Sequence, residues 1–346
     1  MDDFFVHKYR ELYKNRTPGR EGCQRERRRK LLEEQKHQRQ QTTDENRGIT
    51  KFVQKQPRDA KQAAVFDRFY ANKIQLSEWL KEKPEDLDNW YIVPCPKGKR
   101  CLVVASDKTR SYTKAGKLLH SFHSSLEGGR SGRYVTVLDC IFYRSEYFVL
   151  DCLVYRNQEF INCETSFRFF WLTSKFLEYD YTVIHRDNHL PFHLIPRYDC
   201  ADEACLASAL ETHPHWPENT PVLDGFLFYH KEASYTYGTT PLVGWLFSFM
   251  IPEVLGVEAI HPEYKKTPPN YTNASAFMKA FDKKQKKKRY STRRKKNTMD
   301  VDEGSSTSAI MEQQKQLELG ELDMDCEHAE DQEEDEEEIE ENSHNA

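Results

Sequence analysis

Residues 221–246 read PVLDGFLFYHKEASYTYGTTPLVGWL, and the fold class hangs on them. Val222 to Tyr229 is an apolar run entered through Asp224-Gly225, which predicts a strand after a turn. Leu242 to Leu246 is a second apolar run, reached through Gly238-Thr239-Thr240-Pro241. Neither suits a surface strand, so both are expected in a central sheet. Trp245 follows Gly244, which would leave the backbone beside the indole bare. A flat aromatic with open space beside it can act as a stacking platform for a nucleobase. Tryptophan is also highly buried on average, so a plain core role stands beside that reading.

Working outward, the chain before this stretch supplies more strands. Tyr91-Ile92-Val93 and Arg100 to Ser106 predict two strands joined by Pro94-Cys95-Pro96-Lys97-Gly98. Tyr134 to Phe142 and Tyr147 to Tyr155 flank Arg144-Ser145-Glu146 and predict an antiparallel hairpin. Phe167 to Leu172 is read as a further aromatic strand. Phe66 to Leu80 carries apolar residues at a helical rhythm, and Asp202 to Leu210 is a short helical candidate. The expected fold is therefore α+β, with a largely antiparallel β-sheet core and helices over about 62–260.

Composition sets limits on both flanks. Of 346 residues, 31% are charged, and the mean hydropathy of -0.85 is too polar for a wholly globular chain. The net charge of -5 hides a segregation. Residues 8–47 hold thirteen Lys/Arg against seven Asp/Glu, 283–296 carry ten positive charges and no negative one, and 327–341 carry eleven acidic side chains. Such blocks are usually disordered and often act as interaction tails. The expected organisation is a basic arm over 1–61, a domain over 62–260 and a tail over 261–346. Within the arm, Gln24 to Gln41 has good helix formers and no Gly or Pro, but only Leu31 and Leu32 are apolar. It is expected to become helical on an acidic partner.

No apolar run approaches the ~20 residues that cross a bilayer, and the N-terminus has no signal-peptide pattern. The nine cysteines never fall in a CxxC spacing, so zinc is not expected, and several lie in strand-like runs that suit reduced, buried thiols. Lys97, Lys99 and Arg100 crowd a Gly-containing turn, and Lys114 follows in TKAG. That pattern suits a polyphosphate or ordinary surface charge equally. Asp139 and Asp151 suit either a carboxylate pair for magnesium or catalysis, or polar positions that partner nearby arginines.

The segments YANKIQLSEWL, VPCPKGKRCLVVAS, SYTKAG, FRFFWLTSK, DGFLFYHK and TPLVGWL, in that order, resemble the snurportins. The likeness spans nearly all of 70–257, and ERRRKLLEEQK before it is also similar. Any one segment alone is a weak signal; six in one order are specific. The resemblance implies a cap-binding domain similar in fold to the nucleotide-binding domain of GTP:RNA guanylyltransferases. It implies stacking of a trimethylated guanine on Trp245, with Trp79 against its methylated edge and Leu76 and Ser77 completing the pocket. It places Gly98, Lys99, Arg100 and Lys114 near the cap and its phosphates.

By the same resemblance, the partners are a trimethylguanosine-capped small nuclear RNA with its ribonucleoprotein, importin-β or another importin, and an exportin for recycling. The protein would shuttle between nucleus and cytoplasm, with no membrane partner, cofactor or metal. Arg25, Arg27, Arg28, Arg29, Lys30, Lys36 and Arg39 would meet the importin. Two departures stand out. Lys97 replaces an apolar residue of the family turn, and the arm lacks the distal Arg pair common in importin-β-binding segments. A guanylyltransferase would need Lys-x-Asp-Gly, whereas Lys97 is followed by Gly98-Lys99-Arg100, so no catalytic residue is expected.

Overall fold

A computed structural model describes residues 22–46, 70–269 and 271–284. The chain begins with helix α1 (Gly22–Asn46). Strands β1 (Gln75–Trp79), β2 (Trp90–Pro96), β3 (Lys99–Ser106), β4 (Lys108–Thr113) and β5 (Leu118–Phe122) follow. The hairpin β6 (Thr136–Tyr143) and β7 (Glu146–Tyr155) leads to β8 (Gln158–Glu159) and helix α2 (Thr165–Glu178). Then come β9 (Phe192–Leu194), β10 (Tyr198–Asp199), helix α3 (Glu203–Glu211), β11 (Leu223–His230) and β12 (Gly238–Leu246). Helix α4 (Ile251–Leu255) and a last helix, α5, over 274–284 complete the described chain.

The strands form two mostly antiparallel sheets, so the fold class is α+β. The first sheet has the order β1-β12-β11-β2-β10, with β1 parallel to β12 and the other pairs antiparallel. The second has the order β5-β4-β3-β6-β7-β8, with β9 pairing in parallel on β7. The chain passes between the sheets at Lys97-Gly98, where β2 ends in one and β3 begins in the other. Only glycine fits there, since a Cβ on Gly98 would lie 2.7 Å from Ile141 Cγ2 and 2.8 Å from the Phe142 carbonyl oxygen. On β3 the alternation is complete. Cys101, Val103 and Ala105 face one apolar cluster, and Leu102 and Val104 face another. Cys95, Cys101, Cys140, Cys152 and Cys200 are buried free thiols, and burial raises the pKa of each.

Two arginine–aspartate pairs, each with a buried carboxylate, fix the interior. Arg168 donates to both carboxylate oxygens of Asp151 at 2.9 Å, and to Cys163 O, Ala233 O and Thr165 Oγ1, with both charged side chains wholly buried. Arg100 grips Asp139 in the same fork, at 2.6 and 2.8 Å. The Tyr235 hydroxyl donates to Asp139 at 2.6 Å and accepts from the backbone N–H of Gln75 at 2.9 Å. The start of β1 in one sheet is thereby tied to the middle of the other.

Several elements differ from the sequence reading. Gln75–Trp79 is a strand, although the apolar rhythm from Phe66 to Leu80 predicts a helix; residues 66–69 lie outside the described residues. The open edge of β12 offers a ladder from Gln75↔Gly238 to Trp79↔Trp245, and tertiary pairing overrides the local pattern. Phe167 to Leu172 is not a strand but part of α2. Thr165, Arg168, Phe169 and Leu172 are its buried face, at helical spacing, while Phe170 is 68% exposed. Asp224-Gly225 is a register irregularity inside the β11–β2 pairing rather than a turn. Core contacts also continue beyond residue 260, because Tyr264, Ala274 and Met278 belong to the main cluster. The expected hairpin and α3 are present, the latter capped by Asp202, which accepts from Ala204 N and Cys205 N.

Removing one partner of a buried pair strands the other charge. Asp151→Ala should cost about 3–5 kcal/mol, and the double substitution Arg168→Met with Asp151→Leu much less, read by urea unfolding. Burial also lowers the His215 pKa from 6.5 to about 4. Between those values the unfolded chain takes up a proton that the folded chain refuses. Stability should fall as pH drops from 6.5 toward 4, by at most about 1.4 kcal/mol per pH unit from this group, and His215→Gln should flatten that slope.

Candidate functional site

Trp79 and Trp245 are register partners on adjacent parallel strands, so their side chains leave the sheet on the same side. Phe247 joins them, with ring centroids 5.8 Å from each. Trp245 is only 7% exposed, and Trp79 is half-buried, as are Leu76 and Ser77. Gly244 does not open space beside the indole as the sequence reading expects. A Cβ there would lie 2.9 Å from Leu80 Cδ1, so this glycine makes room for Leu80. The glycine that seats the indole is Gly225, whose Cβ would lie 2.8 Å from Trp245 Cζ2.

The basic residues gather at one end of the second sheet. The pair Cys101↔Thr113 sets Lys114, just past the end of β4, level with Arg100 and next to Lys99 at the start of β3. Lys114 also anchors the approach to β1, because its carbonyl accepts from Asn72 N at 2.8 Å. Arg100 Nη2 reaches Gln75 O at 3.4 Å, so this basic end adjoins the first residue of β1. Gln75 is followed by Leu76 and Ser77, and four strand residues (roughly 13 Å at ~3.3 Å each) carry the chain to Trp79.

Arg100 itself stands apart from the group. Burial works against its charge, but the Asp139 carboxylate more than offsets this and raises its pKa well above the usual arginine value. Its guanidinium is committed to an internal partner, while Lys97 is exposed and Lys99 half-buried. The two aspartates are also resolved. Asp139 and Asp151 are register partners on β6 and β7, and each is held by its own arginine. Among the described residues, no group of His, Cys, Asp and Glu could hold a metal ion.

The basic arm has a place that sequence did not foresee. Helix α1 is already formed and lies along the domain, whose carboxylates supply the acidic surface. Arg27 donates to both oxygens of Glu78 at 2.9 Å, Lys36 pairs with Glu232 at 2.8 Å, and Arg39 reaches Glu164 and Ser234 Oγ. Arg25 pairs with Glu85, and Lys30 with Glu26 one turn earlier on the helix. Arg29 is exposed. Gln24 Nε2 donates to Trp79 O at 3.3 Å, and Gln35 bridges Ser234 N and Thr236 Oγ1.

Arg28 is the buried member of the arm. Its guanidinium lies 4.9 Å from the centroid of the Trp90 ring, and its Nε donates to Pro241 O at 3.0 Å. Its Nη2 is buried without a hydrogen-bond partner, and burial lowers its pKa. Unlike Arg100 and Arg168, it is an incompletely satisfied buried charge, which costs stability.

Three contributors went unread in the sequence: Glu78 as the seat of the arm, Phe247 as the link between the tryptophans, and α5. The signal for α5 was present, with Asn273 as cap and Ala274, Phe277, Met278 and Phe281 at i, i+3, i+4 and i+7.

Set against known protein families, residues 73–248 match the Snurportin1, m3G cap-binding domain. A domain of two sheets with a tryptophan pair and a basic end is thus of the cap-binding class. The chain belongs to that family, the match covering about half of its length. Solved structures with a similar course include the ligase domain of M. tuberculosis LigD, at 13% identity and a TM-score of 0.34 over 52% of this chain and 59% of that one. Mycobacterial DNA ligase D complexed with ATP and MES is similar at 14% identity and a TM-score of 0.35, over 52% and 60%. The ATP-dependent DNA ligase of bacteriophage T7 is similar at 12% and 0.28, over 51% and 69%. The chain spans about three-fifths of the two mycobacterial ligase chains.

Reversing Glu78 to Lys should detach α1. The expected outcome is loss of amide hydrogen-exchange protection across 24–39, with the strands of both sheets unchanged.

Proposed function

We propose that this chain is a non-catalytic adaptor that binds the trimethylguanosine cap of small nuclear RNAs and links the particle to an importin. The observation that carries the reading is the pairing of Trp79 with Trp245 on a strand that starts at the basic end of the second sheet. An aromatic face for the base and lysines for the triphosphate then lie along one path. Methylation at N7 makes guanine cationic, so a tryptophan face gains about 0.5–2 kcal/mol of cation–π attraction besides stacking. Trp245 is the platform, Trp79 meets the methylated edge, Leu76 and Ser77 line the pocket, and Gly98 lets the turn pass close. Lys99 and Lys114 serve the phosphates, and Arg100 holds that end of the sheet in place through Asp139. Because Trp245 is largely covered here, the base reaches its face as the cover opens.

The arm provides the second half of the function. Arg25, Arg27, Arg28, Lys36 and Arg39 are held by the domain in this structure, and Arg29 and Lys30 stand on the outer side. An importin with an acidic surface offers carboxylates to the same side chains and takes the helix over from the domain. The incomplete satisfaction of Arg28 favours such an exchange. The protein then shuttles between cytoplasm and nucleus, with an exportin returning it.

A fluorescence-quench titration with trimethylated, monomethylated and unmethylated cap dinucleotides should show preference for the first. Trp245→Ala should lose about 1–3 kcal/mol, the scale of one base stack. Equal affinity for all three would contradict the cap reading. Incubation with labelled GTP and a divalent metal should leave no acid-stable label on Lys97 or any other lysine, since the turn lacks the Lys-x-Asp-Gly arrangement; a stoichiometric adduct would make the protein an enzyme. Deleting residues 1–50 should abolish import of a capped RNA into permeabilised cells. Unchanged import there, with loss on deletion of 283–296, would move the signal to the other end.

A further inference from the structure

Helix α5 lies outside the 73–248 segment that matches the family, yet it reaches the tryptophan pair. Its start is firmly held. The N–H of Ala274 donates to both carboxylate oxygens of Glu253, at 2.9 and 2.8 Å, and the Tyr271 hydroxyl donates to the same carboxylate at 2.6 Å. Ala274 and Met278 are buried in the main core. Phe277 and Phe281, one turn apart, both pack on Phe247, at centroid distances of 5.9 and 5.8 Å. That is the ring in contact with Trp79 and Trp245.

The helix then meets Trp79 directly. Phe281 stands edge-on to the indole at 5.4 Å, and the Trp79 Nε1–H donates to Asp282 Oδ1 at 3.0 Å. The torsion that swings an indole about its Cβ–Cγ bond is broad, so packing alone fixes the ring plane loosely. A hydrogen bond at Nε1, the single donor of the indole, fixes the direction of the ring edge. No other residue described at this site performs that task.

We propose that Asp282 is a positioning residue for cap discrimination, holding the Trp79 indole in the orientation that reads the methylated edge of the base. The inference rests on the cap reading above. It makes α5 a wall of the site and extends the functional unit beyond the family segment. Asp282 works through Trp79, so its removal affects the choice between caps more than the affinity for any one of them.

The test uses the full chain as wild type, Asp282→Ala and Asp282→Asn. Asparagine keeps a carbonyl oxygen that can accept from the indole, whereas alanine does not. Two quantities are measured: the ratio of affinities for trimethylated and monomethylated cap dinucleotides, and the indole 1H–15N resonance of Trp79, assigned with Trp79→Phe. In Asp282→Ala the ratio should fall about fivefold, the factor of roughly one net hydrogen bond, and the resonance should move. Asp282→Asn should recover most of the ratio. Asp282 is exposed, so the unfolding midpoint should hold in both variants. A wild-type ratio of one would overturn the cap reading and this inference with it. A wild-type preference that Asp282→Ala retains, with an unmoved indole resonance, would overturn the inference alone. So would tighter cap binding by Asp282→Ala, which would make α5 a cover instead of a wall.

Discussion

The forked pair of Arg100 and Asp139 is the interaction on which the arrangement depends. It lies where the two sheets approach, and it carries Tyr235 and the backbone of Gln75 with it. It is one of the ties, with the Asn72 N–H to the Lys114 carbonyl, that set the start of β1 against the second sheet. The same pair commits the Arg100 guanidinium to an internal carboxylate. The wholly buried Asp139 carboxylate requires a cation, and the half-buried Arg100 supplies it.

From that anchor, β1 acts as the shared element of the molecule. Its Glu78 receives the arm, the backbone of Trp79 accepts a hydrogen bond from Gln24, and the indole of Trp79 is taken by α5. One edge strand of five residues is thus gripped by both flanks of the chain.

What the sequence made legible follows from the range of each signal. The β6–β7 hairpin and α3 rest on local patterns, alternation in the one and an Asp cap in the other, and they stand in the structure. The course of β1 does not, because its strand character comes from β12, more than 150 residues away. The aromatic cluster in α2 misled for a similar reason. Phe, Trp and Tyr favour strands, and only the burial of Thr165, Arg168, Phe169 and Leu172 reveals the helical face. At the candidate site, Trp245 and the basic turn were singled out from the residues themselves, and Trp79 only through the family resemblance. Their mutual placement was not legible, nor was the role of Gly225, which is set by an indole on the neighbouring strand. The helix-forming composition of the arm was legible, and Gly22–Asn46 is a helix; that the domain itself offers it carboxylates is a property of the folded surface alone.

The most direct measurement of the central claim is chemical-shift mapping of the full chain with a trimethylguanosine cap dinucleotide. The account predicts the largest changes at the indoles of Trp79 and Trp245 and at the backbone of Leu76, Ser77, Lys99 and Lys114, with Arg168 and its surroundings silent. Changes confined to the far loops of the second sheet, with both indole signals unmoved, would contradict it.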